Sequence, residues 1–427
     1  MNYKHVHMVG IGGVGMSALA QFLISGGVSV TGSDREESPI TEFLHSRGID
    51  VHLGHRSTLP GDTELVVYSD AVPPEDPERQ AARERSIPEK SYFQMLGEVS
   101  EPYRVIAVAG THGKTTTTGM IAATLRAVGE SPTAIVGSVV RDLGSNFLKG
   151  ESDIFVIEAC EYRNHLLELR PEILVITNIE LDHTDFFPTL ESLIETFQKA
   201  VASVPQTGAI VTNPHDPVIA RALEGAQARI IDYTPMDVPA LKLVGEFNRD
   251  NARAAKASIL AIAETSDLIL LDDTLASFEG SWRRFEYKGM TPKGALVFDD
   301  YAHHPTAVLK TIAAARERYA DKKITVVFHP HLYSRTRDLF DGFVDALATA
   351  DRIIIAPIYA AREKDTGDMN NVLVANAIEK KNPHVLALAS FDEIREELLK
   401  EAAADDLIIT MGAGDIYKVA EQITDSV

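Results

Sequence analysis

The chain has 427 residues, 45% of them apolar, and 41 lysines and arginines against 62 aspartates and glutamates, for a net charge of −21. At roughly 150 residues per domain this predicts two or three domains with full hydrophobic cores, and it excludes wholesale disorder. The acidic balance excludes broad sequence-independent binding to nucleic acid or anionic membrane, but a local glycine loop or arginine can still hold a small anion.

A single cysteine, Cys160, rules out an internal disulfide framework. No apolar run reaches the roughly 18 residues that span a bilayer, and the first residues lack a basic, then apolar, secretory pattern. The expectation is a cytoplasmic protein with no membrane insertion, acting as a monomer or weak homodimer.

Short apolar runs at His5–Gly10, Val28–Gly32, Val105–Gly110, Phe155–Ala159, Ile173–Ile179, Ala209–Asn213, Ile324–Phe328, Arg352–Ile358 and Leu407–Gly412 read as buried strands. Between them lie helix-length amphipathic stretches: Met16–Ser25, Thr115–Val128, Leu190–Val204, Asn248–Glu264 and Pro305–Tyr319. This alternation predicts an α/β protein with mostly parallel sheets. The proline- and charge-rich segment Ala71–Arg85 and the break Lys288–Gly294 suggest domains at 1–100, 101–290 and 291–427.

Three glycine loops follow strands. In the first, Gly10-Ile-Gly12-Gly13-Val-Gly15 opens a helix, and Asp34 lies about twenty residues on, the pattern of a dinucleotide fingerprint. A diphosphate at the helix N-terminus with Asp34 on a ribose or base is one reading; a tight strand–helix turn with no ligand is the other. The second, Gly110-Thr111-His112-Gly113-Lys114-Thr115-Thr116, is a shortened phosphate loop. There Lys114 would meet the β- and γ-phosphates of a nucleotide, and the Thr115 hydroxyl would bind Mg²⁺. The third, Gly412-Ala-Gly414, reads as readily as a turn as a ligand contact.

Glu158 ends one strand of the central region and His183 follows the next, and strand C-termini in such sheets open on the ligand crevice. With Thr115 they are candidates for Mg²⁺ binding, Glu161 being a weaker one. Asn248 either caps its helix or, with Asn251, recognises adenine. The pair Arg283-Arg284 suits a carboxylate or phosphate, or is simply solvated. Asp300, Tyr301, His303 and His304 end one predicted strand, and His329 to Arg337 end another, so carboxylates, imidazoles and guanidiniums share one sheet edge. Zinc at His303-His304 is rejected, because no further ligands stand at zinc spacing.

The strings HMVGIGGVGMSALA, AGTHGKTTTT, VITNIELDHTD, DDYAHHPTAV and HLYSRTRDLF, in this order through all three regions, resemble the Mur ligases. The resemblance implies Rossmann-like N- and C-terminal domains around a central P-loop ATPase domain. It also implies ATP-dependent amide ligation with Mg²⁺, and the first step of stem-peptide synthesis is the best match: L-alanine joined to UDP-N-acetylmuramate through an acyl phosphate. Residue by residue, it assigns Gly12, Gly13, Gly15 and Ser17 to the UDP diphosphate. Lys114 and Thr115 fall on the ATP loop, Glu158 and His183 on the magnesium ligands, and Asn248 and Asn251 on adenine. Arg284, Asp300 and Tyr301 fall near the ATP phosphates and ribose, and His304 and Arg335 on the alanine pocket. His183 and His304 are the candidates for taking the amine's proton.

The chain departs from the family pattern in places. Leu332 stands where many relatives carry arginine, so Arg337 is a substitute candidate. Phe197 stands where later-step ligases carry a carbamylated lysine, which favours the first step. Only 28 residues separate Asp216 from Gly245, so a shortened central domain is expected. The competing functions are a recycling ligase for a preformed tripeptide, a non-catalytic UDP-sugar sensor, and an NAD-dependent dehydrogenase suggested by the first loop alone.

Overall fold

The computed structural model describes residues 3–263, 267–361, 363–365 and 367–424. It is an α/β protein built on three sheets, arranged as two compact units. The first unit comprises residues 1–180, 191–240 and 250–279; the second comprises 181–190, 241–249 and 280–427.

In the first unit, His5–Val9 lies at the centre of a five-stranded sheet, flanked by Ser29–Asp34 and Leu65–Tyr68, with Asp50–Leu53 and Glu89–Ser91 at the edges. All neighbours are parallel. Parallel strands covered on both faces need continuous apolar side chains, and His5–Val9 is buried at every position. The same unit holds a seven-stranded sheet in which Arg104–Ala109 pairs with Ile154–Glu158 and Ile173–Ile176. Ala209–Thr212 and Arg229–Asp232 extend one side of it, and Thr133–Val140 with the antiparallel Ser145–Leu148 close the other. The two sheets are tied together by Asn146, whose amide donates to the Val14 carbonyl at 2.7 Å and to Ser17 Oγ at 3.2 Å.

The second unit carries a six-stranded sheet. Leu296–Asp300 and Lys323–Phe328 run parallel to Asp406–Met411 between them, so their C-terminal ends share an edge, as expected. Its apolar core lies on both faces of this sheet, against the helices Pro305–Arg318, Phe340–Leu347 and Asn371–Glu379 on one side and Phe391–Glu401 and Tyr417–Ile423 on the other.

All nine strands expected from apolar runs form. Several strands the pattern missed, such as Asp50–Leu53 and Glu89–Ser91, are short and lie at sheet edges, where burial is incomplete and periodicity fades. Leu65–Tyr68 and Thr133–Val140 were also missed although they lie inside their sheets. The helix Lys114–Ala127 begins with four threonines, poor helix formers because of their branched Cβ. It forms because every residue from Thr115 to Leu125 is buried, so packing overrides propensity. The helix expected over Asn248–Glu264 runs Glu246–Ile262, and Glu264 lies outside the described residues. Among the described residues no helix is long and apolar enough to cross a membrane.

Candidate active site

In the second glycine loop the strand Arg104–Ala109 delivers the chain into Gly110 to Gly113, and the next helix starts at Lys114. Gly113 sits at φ +83°, a left-handed conformation that costs glycine little. A Cβ there would lie 2.3 Å from Asn251 Oδ1, so the Asn251 amide is laid against the loop. The motif around Asn178 holds the loop's shape: His112 N donates to Asn178 Oδ1 at 2.9 Å, and Thr111 Oγ1 donates to the Glu180 carbonyl at 2.9 Å. Thr116 is buried in the first helical turn.

Lys114 Nζ turns back on the loop, donating to the carbonyls of Gly110 and Thr111 and to both Glu161 oxygens at 3.1 and 3.2 Å. Burial disfavours its charge, but the carboxylates of Glu161 and Glu158 outweigh that and lift its pKa above the usual lysine range. Thr115 Oγ1 donates to Glu158 Oε1 at 3.0 Å, and Glu158 Oε2 accepts from Gly137 N at 2.7 Å. A hydroxyl and a carboxylate in contact beside the loop are hard oxygen donors that suit Mg²⁺. The expected partners Thr115 and Glu158 thus come together. Glu161 pairs with the lysine, and two left-handed residues, Arg163 and Asn164, follow it closely.

The first loop is held from within. Gly12 N donates to Asp34 Oδ2 at 2.7 Å, and Arg35 N donates to Asp34 Oδ1 at 2.8 Å. Asp34 therefore fixes the loop's backbone. Ser17 Oγ donates to the Val14 carbonyl at 2.8 Å and accepts from Asn146. A Cβ on Gly15 would meet the Tyr92 ring at 2.8 Å. Gly13 and Gly15 line a cleft of about 300 Å³ whose other walls include Asp70, Tyr92, Glu158 and Cys160. The first glycine loop and the carboxylate that bonds Thr115 therefore face one cavity. Burial pushes the Cys160 thiol up to about 12, so it stays protonated there.

The second unit presents the remaining residues. Arg335 is buried, with Nε and Nη2 both donating to Asp182 Oδ1 at 3.0 and 2.8 Å and Nη1 lying 3.0 Å from His331 Nδ1. Burial acts to raise the Asp182 pKa, but Arg335 holds it well below the usual carboxylate range. His183 takes φ +54°, rare for a non-glycine residue, and donates its backbone N–H to Asp182 at 2.7 Å. His304 caps the helix Pro305–Arg318 by accepting from Thr306 N, and its Nε2 lies 3.2 Å from the Leu181 carbonyl. Both of its nitrogens are thus engaged in holding the fold.

Asp300 accepts from the backbone N–H groups of Phe285 and Ala302, each at 2.7 Å, and burial pushes its carboxyl up to about 6. The Arg284 guanidinium lies 5.2 Å from the centre of the Tyr301 ring. Arg283 is structural: it is buried, pairs with Asp299 at 2.7 Å and donates to the carbonyls of Gly412 and Gly414. Arg283 thus holds the backbone of the third glycine loop. Asn248 is not the helix cap, because the helix begins at Glu246; its amide donates to the Val244 carbonyl at 2.7 Å. Leu332 is buried at φ +69°, and Arg337 is half-exposed and pairs with Asp368. Asn146, Asn178, Asp182 and Tyr92 were not singled out from sequence. Asn178 and Asp182 lie inside the VITNIELDHTD string, which was the available signal.

Three models of one family match along the chain: "Mur ligase family, catalytic domain" over residues 5–104, "Mur ligase middle domain" over 108–240 and "Mur ligase, glutamate ligase domain" over 283–414. The chain belongs to the Mur ligase family. Among curated Mur ligases it is 40% identical to the UDP-N-acetylmuramate–L-alanine ligase of Rubrobacter xylanophilus, covering 98% of this chain and 99% of that one. It is 37% identical to the enzyme of the same name from Clostridium botulinum strain Loch Maree, covering 98% and 97%. Among solved Mur ligases, the UDP-N-acetylmuramate-alanine ligase of Thermotoga maritima superposes with a TM-score of 0.82 at 26% identity, over 98% of each chain.

Proposed function

We propose that this Mur ligase joins L-alanine to the carboxylate of UDP-N-acetylmuramate with ATP, the reaction that names its full-length relatives at 36–40% identity. The observation that carries this reading is the single cleft between the first glycine loop and Glu158. It lets a sugar nucleotide anchored on one loop reach the phosphate end of the other.

Forming an amide from a carboxylate and an amine is uphill in water, so the carboxylate is activated first. Its oxygen attacks the γ-phosphorus of ATP and ADP leaves, giving an acyl phosphate. The amine then attacks the acyl carbon, phosphate leaves, and the nitrogen gives up a proton. Lys114 exchanges Glu161 for the β- and γ-phosphate oxygens and spreads the charge of the transferring group. Thr115 and Glu158 would hold Mg²⁺, with His183 as the family's further ligand; the ion supplies charge neutralisation on the phosphates. Asn251, laid against Gly113, is suited to the nucleotide. With Nε, one hydrogen of Nη2 and one of Nη1 engaged, Arg335 keeps one N–H on each terminal nitrogen, an end-on pair for the amino-acid carboxylate.

The sequence raised a tripeptide-joining ligase and a non-catalytic sensor as alternatives. No feature of the site favours the tripeptide, and the joined set of Lys114, Thr115 and Glu158 speaks against a sensor. A dehydrogenase leaves that set with nothing to do. Phosphate release from ATP tests the proposal, with UDP-N-acetylmuramate present and alanine, glycine, serine and a tripeptide added in turn. Alanine should give the highest kcat/KM. Release that ignores the sugar nucleotide, or a preference for the tripeptide, would overturn the assignment.

A further inference from the structure

Outside the cleft of the candidate active site, the first sheet buries a cluster of imidazoles and carboxylates to which the proposed reaction gives no role. Glu78, in the first turn of the helix Pro77–Glu84, has a side chain with no exposed surface. One of its oxygens accepts from His52 Nε2 at 2.7 Å and lies 3.5 Å from His7 Nε2. The other accepts from Ser33 Oγ and lies 3.6 Å from His55 Nδ1. His55 Nδ1 is in turn 2.8 Å from Asp76 Oδ2. The other Asp76 oxygen caps the helix, accepting from the N–H groups of Glu78 and Arg79.

Two observations separate this cluster from an ordinary hydrogen-bonded acidic patch. The His7 side chain is fully buried and directs Nε2 at Glu78, with the nearer carboxylate oxygen 3.5 Å away, at the long limit of a hydrogen bond. The His55 Nδ1 makes no hydrogen bond, although a carboxylate oxygen stands 2.8 Å away. A ring nitrogen and a carboxylate oxygen at this separation, with no hydrogen-bond geometry between them, suit two ligands of one cation.

We propose that His55 Nδ1, Asp76 Oδ2 and the Glu78 carboxylate bind a divalent transition-metal ion of the zinc class. The three ligand atoms lie within 4.8 Å of one another. With bonds of about 2.0–2.1 Å, ligands of a tetrahedral zinc stand roughly 3.3 Å apart, and the 2.8 and 3.6 Å separations bracket that value. Imidazole nitrogen selects zinc-like ions over Mg²⁺ or Ca²⁺. His52 and Ser33 hold the Glu78 carboxylate in place, the supporting role that outer partners play for metal-bound carboxylates. His55 is the exposed side of the cluster, its side chain 23% exposed, so water would complete the ion's fourth position there. The site reaches the first glycine loop through Ser33, whose carbonyl accepts from the N–H groups of Gly10 and Ile11. A bound ion therefore stiffens the loop's first turn.

The test uses the full chain, stripped with a chelator and titrated with zinc without ATP, by calorimetry and by melting temperature. Cobalt(II) absorption serves as a second probe. We expect one zinc per chain, a zinc-dependent rise in melting temperature, and cobalt bands of a nitrogen–oxygen site without a thiolate band. Asp76→Asn keeps the capping oxygen and His55→Gln changes a partly exposed ring, so both should melt near the metal-free wild type while weakening zinc at least about tenfold. Glu158→Gln should leave zinc affinity unchanged, which separates this site from the phosphate loop. Equal zinc affinity in wild type and His55→Gln would overturn the proposal. So would a wild type that ignores zinc and changes stability only with pH, as a proton-sharing cluster would.

Discussion

Two cation–carboxylate pairs, one in each unit, are built differently. Lys114 meets Glu161 at 3.1 Å and also donates to two loop carbonyls. Arg335 sets two nitrogens on one oxygen of Asp182, which also accepts from His183 N. A lysine ammonium is a compact charge on a flexible stem and can exchange one set of oxygens for another, whereas an arginine fork is directional. The second glycine loop thus rests in a self-satisfied state, which under the proposed function a nucleotide would replace. The arginine is already oriented, with two N–H groups left over. One site is poised for exchange and the other is pre-organised.

The sharpest way to break this comparison is to remove the lysine. Lys114→Met leaves Glu161, only 2% exposed, without its cation. Loss of one partner of a buried pair costs about 3–5 kcal/mol, so the melting temperature should fall. The double variant Lys114→Met/Glu161→Gln should recover that stability, yet release phosphate at least about a hundredfold more slowly. Calorimetry should find UDP-N-acetylmuramate binding intact in the double variant. Recovery of turnover along with stability would make the lysine purely structural.

Next in size is Arg335→Lys, which should raise the KM for L-alanine by about one to two decades, the worth of a charge-assisted contact. The KM for UDP-N-acetylmuramate should barely move. Equal changes in both would locate the defect in folding rather than in amino-acid capture.

Acid titration separates Asp182 from Asp300, because their carboxyls shift in opposite directions. Asp182 has a depressed folded pKa, so its stabilisation is full above the unfolded value near 4 and is lost as pH falls through the lower folded value. Asp182→Asn should unfold less steeply in acid while being less stable at neutral pH. Asp300, pushed up to about 6, binds its proton more tightly folded than unfolded. Its ionised form therefore costs stability above that pH, and the cost is relieved as pH falls from about 6 toward 4. Thermal melts of Asp300→Asn should exceed wild type most at pH 7 and converge with it in mild acid. The smallest effect belongs to Glu161→Gln, which should lower the KM for ATP by less than about tenfold, because a neutral amide releases the lysine more easily.

Much of the fold was legible because parallel strands covered on both faces must be continuously apolar, and runs such as Arg104–Ala109 and Asp406–Met411 stand out on that ground alone. Edge strands such as Glu89–Ser91 were not legible, since partial burial leaves no period to detect. Within the site, the phosphate loop, the pairing of Thr115 with Glu158 and the shared sheet edge of the third region follow from motif order. A short loop between strand and helix permits few backbone paths, and strand C-termini converge. What only the tertiary structure decided is which partners those side chains hold. Asp34 closes its own glycine loop, Glu161 takes the lysine, Asp182 takes Arg335, and His7, His52 and His55 gather around Glu78. The residues paired there are from 22 to 153 positions apart in the chain. A buried charge is satisfied by whatever donor the packed sheets bring within about 3 Å, a distance no local pattern encodes.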